Sequence, residues 1–135
     1  QIPIRDMKRI KAGEDFMTAT GEIIHNNQLV MPSKKPRSYA YCSDTAYSKK
    51  VAAAVNDVDL LYHEATFAES ERKIALETFH STGVQAARIA KLANARKLLI
   101  GHFSARYKTT DIILSEARTI FPETYAVSDN ETYAI

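Results

Sequence analysis

Three pieces in the order "DLLYHEAT", "STGVQAARIAKLANA" and "KLLIGHF" leave few folds open. Each outer piece holds a short apolar run, Leu60 and Leu61 in one and Leu98, Leu99 and Ile100 in the other, bounded by polar residues. Runs of that length are strand cores. The middle piece repeats with a helical period. Val84, Ala87, Ile89, Ala90, Leu92 and Ala93 fall mainly on one stripe, and Arg88 and Lys91 lie off it. Strands that alternate with helices predict a layered α/β arrangement with crossover connections.

The alternation extends in both directions. "SYAYCS" predicts a strand and "SKKVAAAVND" a short helix. "AESERKIALETF" is helical, with Ile74 and Leu76 among charges. "TTDIILSEARTIF" is a helix with Thr109 or Thr110 as its cap and Pro122 closing it. "ETYAVSD" and "ETYAI" read as final short strands. Residues 1–37 look irregular. They hold Gly13, Gly21, Pro3, Pro32 and Pro36, with short extended pieces such as "GEIIHNNQLV". The expected organisation is therefore a single segment, 1–135, in which an irregular region (1–37) precedes an alternating strand and helix region (38–135).

Composition narrows the function classes. Hydrophobic residues make up 45% and charged residues 25%, which is ordinary for a folded domain and excludes a disordered chain. A net charge of +2 excludes a strongly basic coat for nucleic acid. The charge is uneven, though: Lys8, Arg9, Lys11, Lys34, Lys35 and Arg37 cluster early, as a phosphate-binding edge or as a solvated basic loop. The one cysteine, Cys42, excludes an internal disulfide framework and reads as a small buried strand residue. No apolar run is long enough to span a membrane, and "QIPIRDMKRI" lacks a secretory core. The expectation is a cytoplasmic protein, or part of one cut or incomplete before Gln1. Nucleotide-cofactor, zinc-finger and nucleophile-elbow motifs are absent.

In α/β sheets the site forms just beyond the strand ends. Here those ends are polar: Ser43-Asp44-Thr45, His63-Glu64-Ala65-Thr66, and Gly101-His102 running into Ser104 and Arg106. "FHST" adds His80, Ser81 and Thr82 at a helix start. His, Asp and Glu are ligands for divalent metals and also proton carriers. Arginine offers a fork that matches phosphate. Each residue has a plainer reading. Asp44, Thr45, Ser81 and Thr82 are cap residues by type, His63 is a core histidine, and Arg106 is a surface ion-pair partner. Only the set as a whole points to a site.

In this order, "SDT", "HEATF", "HST" and "GHFSARY" resemble the C-terminal half of the ribonuclease Z family, tRNA 3′-processing endonucleases of the metallo-β-lactamase superfamily. The resemblance implies half of an αββα sandwich, a mixed sheet with flanking helices. It implies a zinc-dependent endoribonuclease that removes the 3′ trailer of precursor tRNA by phosphodiester hydrolysis, with two zinc ions in a complete site. Asp44 and His102 are then metal ligands, and Glu64 and His80 the pair that moves a proton to the leaving oxygen. Arg106, Ser104 and Thr82 lie near the scissile phosphate. "PSKKP", with Lys34 and Lys35, resembles a loop that meets the tRNA acceptor end. Two departures stand out: Ser43 replaces the usual glycine before the aspartate, and Pro36 replaces a glycine in the lysine loop. The superfamily's HxHxDH ligands are not in these residues, so the implied partners are an N-terminal half that carries them, precursor tRNA, and a second copy in a homodimer. Two alternatives stay open: another phosphodiesterase or hydrolase of the superfamily, and a non-catalytic RNA-binding or dimerisation fragment.

Overall fold

The computed structural model describes residues 2–31 and 33–135. The chain divides into two compact units, 1–36 and 37–135. In the first, a turn of 3-10 helix leads into α1 (Met7–Lys11), a two-stranded antiparallel ribbon of β1 (Phe16–Met17) and β2 (Ile23–Ile24), and α2 (Asn26–Leu29). The second half of "GEIIHNNQLV" is thus helical rather than extended. The reason is Asp15, whose carboxylate accepts from the Asn26 backbone N–H at 2.7 Å and pairs with His25 at 3.0 Å, closing a helical turn.

The second unit carries the alternation. Its sheet runs β3 (Tyr39–Cys42), β4 (Leu60–Glu64), β5 (Lys97–Gly101) and β6 (Thr124–Ala126), in that order and parallel throughout. The antiparallel pairing is confined to the small ribbon of the first unit. Between the strands lie α3 (Lys49–Ala54), α4 (Arg72–Glu77) with α5 (Gly83–Leu92), and α6 (Asp111–Ile120). Successive parallel neighbours need crossovers of one hand, which places their helices on one face. Leu61, Leu98 and Ile100 point to that face and pack with Ala52 of α3, Ile89 of α5 and Ile113 of α6. Burying each of the larger side chains contributes about 1.5–3 kcal/mol.

Helix α5 starts where "HST" ends because Thr82 caps it. The Thr82 hydroxyl accepts from the Gln85 N–H while the Gln85 side chain accepts from the Thr82 N–H. Helix α6 has Thr110 at its N-cap position, without a side-chain cap bond. Gly83 opens α5 against α6: a Cβ there would lie 2.6 Å from Ile113 Cγ2 and 2.7 Å from its carbonyl oxygen.

The opposite face of the sheet carries a row in register across all four strands: Tyr41, Tyr62, Leu99 and Tyr125. Tyr41 and Tyr62 stack with centroids 4.5 Å apart, yet Tyr41 stays 64% exposed. The expected last strand, "ETYAI", is not a strand. Residues 132–134 instead line a cavity on this face with Leu60, Lys97, Leu99 and Tyr125, and the Tyr133 hydroxyl, which donates to the Glu131 carboxylate, lies 3.3 Å from the Ala126 carbonyl oxygen. β6, at the sheet edge, ends after three residues, and the chain turns back across the sheet instead of extending it.

Candidate metal and acid–base site

Three strand ends and one helix start converge at the C-terminal edge of the sheet. Asp44 follows β3, and His102 follows β5. Both have left-handed backbones, with φ of 50° and 60°. So does Phe79 (φ 59°), just before His80. Such conformations are costly for residues other than glycine, and here they turn functional side chains toward one point. The result is a cluster: ligand-capable atoms of Asp44, His80 and His102 lie within 4.8 Å of one another. Asp44 does not cap a helix. Ser48 caps α3, accepting from the Lys50 N–H at 3.3 Å.

Glu64, the last residue of β4, is fully buried behind this cluster. A carboxylate is an acceptor only, and here it has five donors. Oε1 accepts from the Thr45 N–H at 2.9 Å and from His80 Nδ1 at 2.9 Å. Oε2 accepts from the Thr66 hydroxyl at 2.6 Å, the Ser81 N–H at 3.0 Å and the Thr66 N–H at 3.4 Å. Glu64 thus sets His80: Nδ1 carries the hydrogen, and Nε2 is left for other work.

The Thr66 hydroxyl makes a second link. Because it donates to Glu64, it accepts from His102 Nδ1 at 3.0 Å. That places the hydrogen of His102 on Nδ1 and the lone pair on Nε2, which sits 3.5 Å from Asp44 Oδ1. A ligand histidine held in this way is ready for a cation. The set of one exposed carboxylate oxygen and imidazole nitrogens fits a divalent metal in its chemistry. In number it supplies only part of a tetrahedral shell.

Arg106 lies beside the cluster. Its Nη1 donates to Glu71 at 2.7 Å, its Nε donates to the Ser104 hydroxyl at 3.2 Å, and its guanidinium lies 4.9 Å from the centroid of Phe67. Thr82 stands apart from its expected role. It is fully buried, and its hydroxyl donates to Glu69 at 2.5 Å while capping α5. Lys34 and Lys35 are exposed in the loop that ends the first unit. Pro32, which opens "PSKKP", lies outside the described residues. His63 is a buried core histidine whose Nδ1 donates to the Glu64 carbonyl at 2.8 Å. Burial pushes its imidazole below the ordinary value. Gly101 explains the glycine before His102: a Cβ there would lie 2.6 Å from the Tyr62 hydroxyl oxygen and 2.8 Å from Val127 Cγ2.

Sequence reasoning gave no role to Thr66, Glu71 or Tyr107. Thr66 was legible as a strand-end hydroxyl. Glu71 carried no signal, since it sits among the charges of "AESERK".

This arrangement, a parallel sheet covered by helices with its polar groups at the strand ends, is shared with part of the metallo-β-lactamase fold. The metallo-β-lactamase fold protein YhfI from Bacillus subtilis superposes with a TM-score of 0.60 and 27% identity, over 65% of this chain and 35% of that one. Human tRNase Z, short form, superposes with a TM-score of 0.52 and 31% identity, over 70% and 30%. No family model matches the sequence. Over the stretch it spans, the chain is similar to ribonucleases Z. It is 51% identical to ribonuclease Z of Bacteroides fragilis across 96% of its own length, and 52% identical to that of Phocaeicola vulgatus across 92%. It spans 43% and 40% of the length of those two relatives. Among the described residues no helix is long and apolar enough to cross a membrane.

Proposed function

We propose that this chain is the C-terminal half of a zinc-dependent endoribonuclease that removes the 3′ trailer from precursor tRNA. The supporting observation is the convergence of Asp44, His80 and His102 in front of the buried Glu64. Asp44 and His102 would hold the metal, with the remaining ligands coming from a part of the protein outside this chain. A bound divalent cation supplies Lewis-acid activation of water and charge neutralisation at phosphorus. When it carries a hydrogen on both ring nitrogens, His80 gives the Nε2 proton to the departing ester oxygen and becomes the neutral Nδ1–H ring, while Glu64 orients the ring through Nδ1 and balances the charge of its protonated form. Arg106 meets a non-bridging phosphate oxygen, and Ser104 steadies Arg106. Lys34 and Lys35 contact backbone phosphates without reading bases. The open tyrosine face of the sheet receives the other half of the sandwich. The same reading carries a cytoplasmic location and a homodimeric assembly, as the family resemblance implies.

The test uses the full-length protein. His102→Ala should lower bound zinc. His80→Ala should keep the zinc and lose roughly 10²–10⁴-fold in kcat on precursor tRNA. A full-length protein that binds no metal and leaves precursor tRNA uncut would sink the proposal.

A further inference from the structure

The guanidinium of Arg106 is gripped from three sides, and its most direct contact is one the catalytic reading does not use. Nη1 donates to Glu71 Oε1 at 2.7 Å, Nε donates to the Ser104 hydroxyl at 3.2 Å, and the Phe67 ring lies against the group at 4.9 Å. A guanidinium has five N–H donors. One goes to Glu71 and one to Ser104. Nη2 makes no hydrogen bond among the described residues, so the edge that faces away from these contacts keeps its donors.

Glu71 is itself held. The Tyr107 hydroxyl donates to its second carboxylate oxygen in a short hydrogen bond and accepts from the Ala68 N–H at 2.9 Å. The Tyr107 bond and, after it, Arg106 keep the Glu71 carboxyl below the ordinary carboxylate range. The element that carries Glu71 is a single 3-10 turn, Glu69–Glu71, and Glu69 in turn bonds the buried Thr82 at the head of α5. A long, flexible side chain is thereby fixed at both ends of its fork by residues from two loops.

We infer that Glu71, locked by Tyr107, is a positioning residue that aims the free edge of Arg106 at the substrate phosphate. This rests on the proposed role of Arg106. The carboxylate has two opposed effects. It removes rotamer freedom that phosphate binding would otherwise have to remove, and it partly neutralises the cation that phosphate would meet. Since Glu71 occupies only one of the five donors, orientation outweighs neutralisation. The "Tyr" of "GHFSARY" is then the far end of the same clamp, five residues beyond His102 in sequence.

The experiment is a double-mutant cycle in the full-length protein, with kcat and KM read on precursor tRNA and the unfolding midpoint read on every variant. Glu71→Ala should lower kcat/KM roughly tenfold, as loss of a hydrogen bond to a charged group does. In an Arg106→Ala background the same change should cost almost nothing. Glu71→Gln keeps the acceptor and should restore most of the activity, and Tyr107→Phe should give a smaller loss in the same direction. Equal losses with and without Arg106, or wild-type kinetics in Glu71→Ala, would overturn the inference. Should Glu71→Ala fail to fold, Tyr107→Phe in both backgrounds reads the same coupling. The parent reading fails differently: Arg106→Ala itself would then cleave like the wild type, which removes the role that Glu71 is said to serve.

Discussion

Two carboxylates sit at the same sheet edge and are treated in opposite ways. Glu64 is fully buried and has five donors, two of them side chains and three backbone N–H groups. Asp44 has 71% of its side chain exposed, with the Ser43 hydroxyl at 3.2 Å and His102 at 3.5 Å as neighbours. The first is complete within this chain. The second offers lone pairs that nothing in the described residues uses up. A group that finishes its bonding inside the fold serves position, whereas one held out by a left-handed backbone with unused acceptors serves a ligand. On the roles proposed above, the contrast divides the site into a prebuilt proton-transfer half and an open metal half.

The largest effect should come from breaking the finished side. Glu64→Ala strands the buried Ser81 N–H and Thr66 hydroxyl and the half-buried Thr45 N–H, at about 1–3 kcal/mol for each unsatisfied buried group. Urea unfolding should show a loss of several kcal/mol, or no folded protein. Asp44→Ala should leave the unfolding midpoint near that of wild type and remove metal binding. Similar midpoints for the two variants would erase the distinction.

A smaller effect tests how the open side is aimed. Gly101→Ala places a methyl carbon 2.6 Å from the Tyr62 hydroxyl oxygen, next to His102. Overpacking of this kind costs about 1–3 kcal/mol. Adding Tyr62→Phe removes the nearest atom and should recover part of the loss in thermal unfolding. No recovery would assign the strain to Val127 instead.

The smallest effect is a pH dependence that belongs to the buried region. His63 has its pKa lowered by burial, so between its folded value and the ordinary 6.5 the unfolded chain binds more protons than the folded one. Its contribution is therefore fully present above pH 6.5 and is lost as the pH falls through the folded value. The urea midpoint should drop between pH 7.5 and pH 5, and His63→Asn should flatten that drop. An unchanged slope would place the acid sensitivity elsewhere.

The sequence carried the fold well where pattern and physics act locally. The Leu61 and Leu98 runs, the α5 stripe and the Thr82 cap signal all lie within a few residues of what they specify. The strand-end rule then brought Asp44, Glu64, His80 and His102 to one edge. What it missed depends on distant partners or on backbone geometry. Thr66 meets His102 across 36 residues, and Arg106 meets Glu71 across 35. Thr82, the last residue of "HST", reads in sequence as a hydroxyl near the scissile phosphate; the structure buries it, with its hydroxyl donating to Glu69 and accepting from the Gln85 N–H. "ETYAI" has the composition of a strand, yet it lies across a face whose large apolar groups needed cover more than the sheet edge needed a partner.

The Thr66 hydroxyl has one hydrogen and two neighbours of different kinds. It spends that hydrogen on Glu64, and its lone pair goes to His102. Any event that placed a proton on the Glu64 oxygen facing it would turn the hydroxyl round, and the imidazole would have to exchange its tautomer to follow. The ring nitrogen presented to a cation is in that sense a readout of the charge on a carboxylate it never touches. On the proposed roles, proton transfer and metal affinity, usually described as separate tasks, are coupled through the single hydrogen of the Thr66 hydroxyl.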